Sequence, residues 1–241
     1  MSTSRFFRYQ LRTTDQDAAR AFYTDILGAH FWGLYLSPAP LPERAIAMGA
    51  RPHWLGHVGV GDVEGTVARV VAAGGQPRGP THRGADGSPI AVLRDPFGAL
   101  LAVSSEAVAA PRSPVAWHLL QTNDHERAFA LYAALFGWTA LEPMDLGPEL
   151  GCHQMFAWDD SGETVGSVAN GARLPHIHPQ WLFFFPVADL DASLSRVQAR
   201  GGLALRPMKT PRGDLVAPCD DPQGAAFGLY QPAVGDSLSA T

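Results

Sequence analysis

QLRTTDQDAARAFYTDILG (residues 10–28) and LLQTNDHERAFALYAALFG (residues 119–137) are two copies of one pattern. Each runs from the end of a strand through an Asp into an apolar-striped segment with an aromatic pair, and stops at glycine. DVEGTVARVVAAGG (residues 62–75) and DLDASLSRVQARGG (residues 189–202) follow in the same order, and DPFGALLAV (residues 95–103) and DPQGAAFGL (residues 221–229) close each copy. Three blocks repeated in order mark a duplicated module, and a repeat constrains the architecture before any single element does. The expected organisation is a first module over residues 1–107, a linker over 108–114 and a second module over 115–241. The second carries a longer inserted loop and a frayed tail, AVGDSLSAT, from residue 233.

The local chemistry of each copy is the same. Asp15 and Asp124 stand where an N-cap belongs, because a carboxylate accepts from the free N–H groups of a first helical turn. Ala18, Ala21, Phe22 and Ile26 stripe one helix; Ala128, Phe129, Leu131, Tyr132 and Leu135 stripe the other. Gly28 and Gly137 fall at the C′ position, where a left-handed backbone is cheap for glycine. A second helix opens on Asp62 or Asp189 and ends at a Gly-Gly pair. The Asp-Pro-x-Gly segments read as tight turns, with Pro fixing one φ, Gly taking a positive one and Asp bonding the backbone ahead. The chain therefore reads as α+β, two tandem βαβββ modules whose curved sheets pair as half-barrels.

The copies differ in one stretch. Gly28 and Gly137 are 109 residues apart while Asp62 and Asp189 are 127 apart, so the second module holds 18 more residues between Gly137 and Trp181. Long loops on a repeated scaffold carry function, and a plain surface hairpin is the other open reading.

Composition narrows the function classes. Of 241 residues 46% are hydrophobic and 17% charged, as in a soluble globular chain. A net charge of −5 argues against nucleic acid or an acidic membrane surface as partner. No apolar run is long enough to span a bilayer, and the first residues lack a secretory pattern, so a cytoplasmic location is expected. Cys152 and Cys219 make neither a disulfide framework nor a CxxC pair. No phosphate-cradling glycine loop or nucleophile elbow occurs.

The order T-x-D–helix–(Phe/Leu)-Tyr-x3-(Leu/Phe)-Gly, then V-x-D–helix–Gly-Gly, then D-P-x-G–strand resembles the glyoxalase/bleomycin-resistance/dioxygenase superfamily, also called vicinal oxygen chelate. The likeness covers residues 6–105 and 115–232. ALFGW at 134–138 and DPQGAAFGLYQP at 221–232 are similar to its two-module glyoxalase-like hydroxylase or 27-kDa-antigen branch. The resemblance implies paired modules that together hold a small molecule. It also implies where metal-using members place donors: a His or Gln opening the first strand, a His five residues before the Val of V-x-D, and a Glu seven residues after the Asp of D-P-x-G. Those positions here are Arg8 and Trp117, Leu55 and Leu182, and Ala102 and Gly228. None is a normal donor to a divalent ion, and arginine repels one. A two-residue slip brings Gln10 and His57 into register but leaves Ser104 as the third group. The expectation is a metal-free protein without cofactor.

Strand alternation then nominates side chains. Arg8, Gln10 and His57 share one face of the first module and are the candidate catalytic groups: Arg forks onto a carboxylate or enolate oxygen, and His moves a proton near neutral pH. The competing reading pairs Arg8 with a local carboxylate and leaves His57 as a core histidine. Trp117, Leu119, Leu182 and Phe184 form the corresponding face of the second module, suited to stacking on a flat ligand or simply to core packing. His153 is a candidate hydrogen-bonding group at the rim.

The function expected is a metal-independent enzyme of isomerase, cyclase or lyase type, acting on an oxygenated aromatic or natural-product-type molecule by positioning and acid–base catalysis. The alternatives are a protein that sequesters a drug or antibiotic, and a scaffold with a closed cleft. Both modules lie on one chain, so the expected state is a monomer or homodimer.

Overall fold

The computed structural model describes residues 4–84, 86–105, 113–148 and 150–233. Most of the expected linker and of the tail lies outside the described residues. The first repeat folds as β1 (Phe6–Thr13), α1 (Gln16–Leu27), β2 (Leu36–Pro40), α2 (Glu43–Ala47) and β3 (His53–Val60). It continues with α3 (Val63–Ala72), β4 (Gln76–Pro77), β5 (His82–Arg83), β6 (Pro89–Arg94) and β7 (Leu100–Ser105). The second repeat opens with β8 (Trp117–Gln121), α4 (His125–Phe136), β9 (Thr139–Ala140), β10 (Met144–Asp145), β11 (Cys152–Ala157) and β12 (Gly166–Ala169). It closes with β13 (Gln180–Pro186), α5 (Leu190–Ala199), β14 (Leu203–Ala204), β15 (Met208–Lys209), β16 (Leu215–Asp220) and β17 (Ala226–Gln231). The inserted stretch is thus made of β9 to β12 and a 3-10 turn at Asn170–Arg173.

The architecture is α+β with one sheet from each repeat. The strand orders are β2-β1-β3-β7-β6-β4, with β5 on β6, and β10-β11-β12-β8-β13-β17-β16-β14, with β15 on β16 and β9 on β11. In each sheet a parallel pair (β3 on β7, β13 on β17) continues into an antiparallel hairpin.

The caps form as the sequence predicts. Side-chain oxygens of Asp15, Asp62, Asp124 and Asp189 accept N–H groups of the first turns of α1, α3, α4 and α5. Each Asp-Pro-x-Gly turn is held by its own Asp. Asp95 Oδ1 accepts from the amides of Phe97 and Ala99, and Asp221 Oδ1 from those of Gln223 and Ala225. Gly98 and Gly224 take φ of 110° and 89°, the region that excludes a β-carbon at low cost.

The folded units do not follow the repeat boundary. One compact unit comprises the described residues of Met1–Arg8, Leu55–Ser113 and His118–Trp181. The other comprises those of Tyr9–Trp54, Pro114–Trp117 and Leu182–Thr241. Each takes strands and helices from both repeats. In the first unit Phe6, Tyr132, Trp138, Phe156 and Trp181 make one aromatic core. In the second, Phe22, Tyr23, Phe31, Trp54, Phe185 and Phe227 make another.

A buried Trp–Tyr–Asp relay crosses each core. Trp181 Nε1–H donates to Tyr132 Oη at 3.0 Å, and that hydroxyl donates to Asp95 Oδ2 at 2.9 Å. Its counterpart runs from Trp54 to Tyr23 at 3.0 Å and on to Asp221 at 3.3 Å. In each relay the tyrosine comes from one repeat and the turn aspartate from the other. Burial, chiefly, raises the pKa of both tyrosines and both aspartates, while the bonds each carboxylate accepts pull the aspartates back down. Among the described residues no helix is long and apolar enough to cross a membrane.

Candidate functional site

Alternation along β3 divides its side chains. Trp54 turns to the aromatic core of the second unit, so Leu55, His57 and Gly59 fall on the opposite face of the strand. The ladder sets His57 beside Ala102 and Gly59 beside Ser104, and the next strand adds Ile90 and Val92. Leu55, Ile90 and Ala102 form a buried apolar cluster with Val92 and Leu100 packed on it. His57 and Ser104 are buried in the same unit, and the Ser104 hydroxyl has no hydrogen-bond partner among the described residues.

Arg8 belongs to this unit too. Its Nη2 donates to Asp86 Oδ2 at 3.1 Å, and its guanidinium carbon lies 5.4 Å from the Phe7 ring centre. Asp86 sits in the turn between β5 and β6, where the Ser88 hydroxyl and amide, and then Arg8, hold its carboxyl well below the usual range. Arg8 therefore has the local carboxylate that the competing reading of the sequence supplied. Its Nε is buried and makes no hydrogen bond among the described residues.

Farther along β1 the chain passes into the second unit. Tyr9, Leu11 and Thr13 are buried on one face, and Gln10 and Arg12 are half-buried on the other. Arg12 Nη2 donates to Gln10 Oε1 at 3.0 Å. His53 feels the charge of Arg12: burial first, and that charge as well, lower its pKa, against the raising effect of the Arg51 carbonyl. That carbonyl only accepts, so His53 Nδ1, 2.8 Å away, carries the proton and Nε2 is left as an acceptor. Sequence reasoning passed over His53, although it lies four residues before His57 on the same strand face.

The predicted aromatic face is divided as well. Trp117, Leu182 and Phe184 lie in the second unit, with Leu182 and Phe184 buried and Trp117 half-buried. Phe184 opposes Gly228 in the β13–β17 ladder, and its ring lies so close over Gly228 that a β-carbon there would collide with it. Leu119 and His153 lie in the first unit, joined through Ser167: Leu119 is its ladder partner, and His153 Nδ1 is 3.2 Å from its hydroxyl. Burial lowers the His153 pKa to about 4, so the ring is neutral near pH 7. His118 faces the other way, stacked on Phe6 at 5.5 Å with Nδ1 2.9 Å from the Val165 carbonyl.

These surroundings do not fit the divalent ion of the metal-using relatives. Leu55 and Ala102 stand within an apolar cluster, Phe184 covers Gly228, and Arg8 already brings a positive charge. No group of three or more His, Cys, Asp or Glu positioned to hold an ion occurs among the described residues. Catalytic metal sites need about three such ligands.

Comparison with known proteins agrees with the fold. Residues 115–229 match the model of the Glyoxalase/Bleomycin resistance protein/Dioxygenase superfamily. The chain is 28% identical to CFP32 of Mycobacterium tuberculosis (strain CDC 1551 / Oshkosh) over 250 aligned positions, covering 92% of this chain and 93% of that one. It is 31% identical to the anthracycline biosynthesis protein DauV of Streptomyces sp. (strain C5), over 62% of this chain and 57% of that protein. The Mn(II)-bound glyoxalase from Novosphingobium aromaticivorans superposes with a TM-score of 0.60 at 16% identity, covering 95% of this chain and 81% of that one. At that identity the likeness is one of fold. The repeated blocks, the strand order and the family match agree: residues 115–229 match the glyoxalase/bleomycin resistance protein/dioxygenase superfamily, and the chain shares the fold of its solved members.

Proposed function

We propose that the chain binds a small oxygenated, partly aromatic organic molecule without the help of a metal ion, and acts on it by positioning and acid–base chemistry. Arg8 steers an electron-rich oxygen and His57, in the same unit, moves the proton. The observation that carries this reading is the filling of the donor positions by packed apolar groups, with Leu55 and Ala102 in one cluster and a phenyl ring over Gly228. Polar groups nevertheless persist beside them: Arg8 and Ser104 each keep a buried atom without a hydrogen-bond partner. Such groups are costly in a core that serves packing only. The relative in anthracycline biosynthesis supports an aromatic substrate of natural-product type.

The test has two parts. Protein purified without chelator is assayed for bound metal; one tightly held ion per chain sinks the proposal. Hydroxylated anthraquinones are then titrated by tryptophan fluorescence and followed for turnover. Turnover lost in His57→Ala with affinity retained supports catalysis. Binding with no turnover, equal in wild type and His57→Ala, replaces it with sequestration.

A further inference from the structure

Among the described residues, the second unit contains a half-buried cation without a counter-charge. Three arginines form ion pairs among the described residues: Arg8 with Asp86, Arg127 with Asp124, and Arg200 with Asp25 through two bonds of 2.9 and 3.0 Å. Arg12 differs. It is half-buried, its one hydrogen bond goes to the neutral amide of Gln10, and no carboxylate lies within ion-pair distance among the described residues. A guanidinium offers five N–H donors in a planar fork. Withdrawing such a charge from water without an anionic partner is expensive, so it serves best where a partner arrives.

The neighbours shape what that partner is. Ser37 opposes Gln10 in the β1–β2 ladder, and Ala39 opposes Arg12, so a hydroxyl and a small side chain share that face. Neutral His53 adds an acceptor at Nε2 and no second charge. The set therefore provides one planar cationic fork, hydroxyl and amide groups, and one neutral imidazole. A planar anion with two oxygens matches the fork in bidentate fashion.

We infer that Arg12, with Gln10 beside it, forms a binding site for the carboxylate group of a small organic molecule. The inference goes beyond the function proposed above, because the site lies within the second unit and uses neither Arg8 nor His57.

Benzoate and its neutral isostere benzamide are the probes, titrated against the whole chain in chelator-treated buffer, so that neither turnover nor metal content affects the result. Benzoate is expected to bind at least tenfold more tightly than benzamide. Arg12→Gln removes that preference, and Arg200→Gln, at an exposed arginine paired with Asp25, keeps it. In wild type the Arg12 Nε–H resonance, assigned by its loss in Arg12→Lys, shifts with benzoate and not with benzamide. This readout stands even where Arg12→Gln folds poorly. Equal affinity for the two probes, a preference that survives Arg12→Gln, or one abolished by Arg200→Gln alone overturns the inference. A benzoate preference found in a protein that proves to hold a metal would overturn the metal-free reading and leave this site standing.

Discussion

Replacing Tyr132 with Phe removes one oxygen from the middle of a buried relay. Tyr132, Trp181 and Asp95 are 1%, 3% and 4% exposed, so water does not readily replace what is lost. The substitution deprives Trp181 Nε1–H of its acceptor and Asp95 Oδ2 of its donor. An orphaned buried polar group costs about 1–3 kcal/mol, more when charged. The expected loss is therefore roughly 3–5 kcal/mol, moderated because Asp95 Oδ1 keeps the two amide bonds of its turn. For a chain of this size each kcal/mol lowers Tm by roughly 2–4 °C, which gives a fall of about 6–20 °C. Tyr23→Phe is the internal control. Its hydroxyl reaches Asp221 at 3.3 Å where Tyr132 reaches Asp95 at 2.9 Å, so less is lost there. Urea unfolding of both variants, with Trp181→Phe completing a double-mutant cycle, measures the difference. A Tyr132→Phe variant within about 0.5 kcal/mol of wild type, or a larger loss in Tyr23→Phe, would refute the reasoning.

Other outcomes follow from burial and packing. Burial lowers the His118 pKa to about 4, so between about pH 6.5 and 4 the unfolded chain binds the proton that the folded chain refuses, and stability falls as pH drops through that window. His118→Phe, which keeps the stack on Phe6, should remove up to roughly 3 kcal/mol of that acid sensitivity, read from unfolding free energies at pH 7 and pH 4. Asp95 and Asp221, whose raised values act in the opposite sense, are present in both proteins and cancel in the comparison. Gly228→Ala should cost about 1–3 kcal/mol by driving a methyl group into the Phe184 ring. Phe184→Leu should recover part of the loss, as thermal unfolding of the pair would show.

The sequence was most informative where structure is made locally. Asp15, Asp62, Asp124 and Asp189 cap helices with their own next turn, and Asp95 and Asp221 tie turns four residues long, so residue type and spacing suffice. The far oxygen of each turn aspartate was not legible. Asp221 meets a tyrosine 198 residues away, and nothing in the local pattern of either segment encodes that meeting. The candidate site divides in the same manner. Parity along β1 and β3 separated Gln10 and His57 from Tyr9 and Val58, and the donor spacing exposed Leu55, Ala102 and Gly228 as non-ligands. That Asp86 engages Arg8, or that Phe184 occupies the space above Gly228, depends on hairpin placement and side-chain direction, which spacing does not convey. His53 was available to the same parity argument and was missed because attention stopped at the family's donor positions.

The reciprocal ownership of the two relays bears on ancestry. Each repeat lends its tyrosine to a carboxylate of the other, so a solitary repeat would carry both halves of the bond and satisfy neither within itself. If the two repeats descend from one, such a peptide needed a second copy of itself, each chain completing its twin. Severing the present polypeptide between residues 105 and 113 should recreate that dependence, yielding fragments that fold on being mixed and remain incomplete apart.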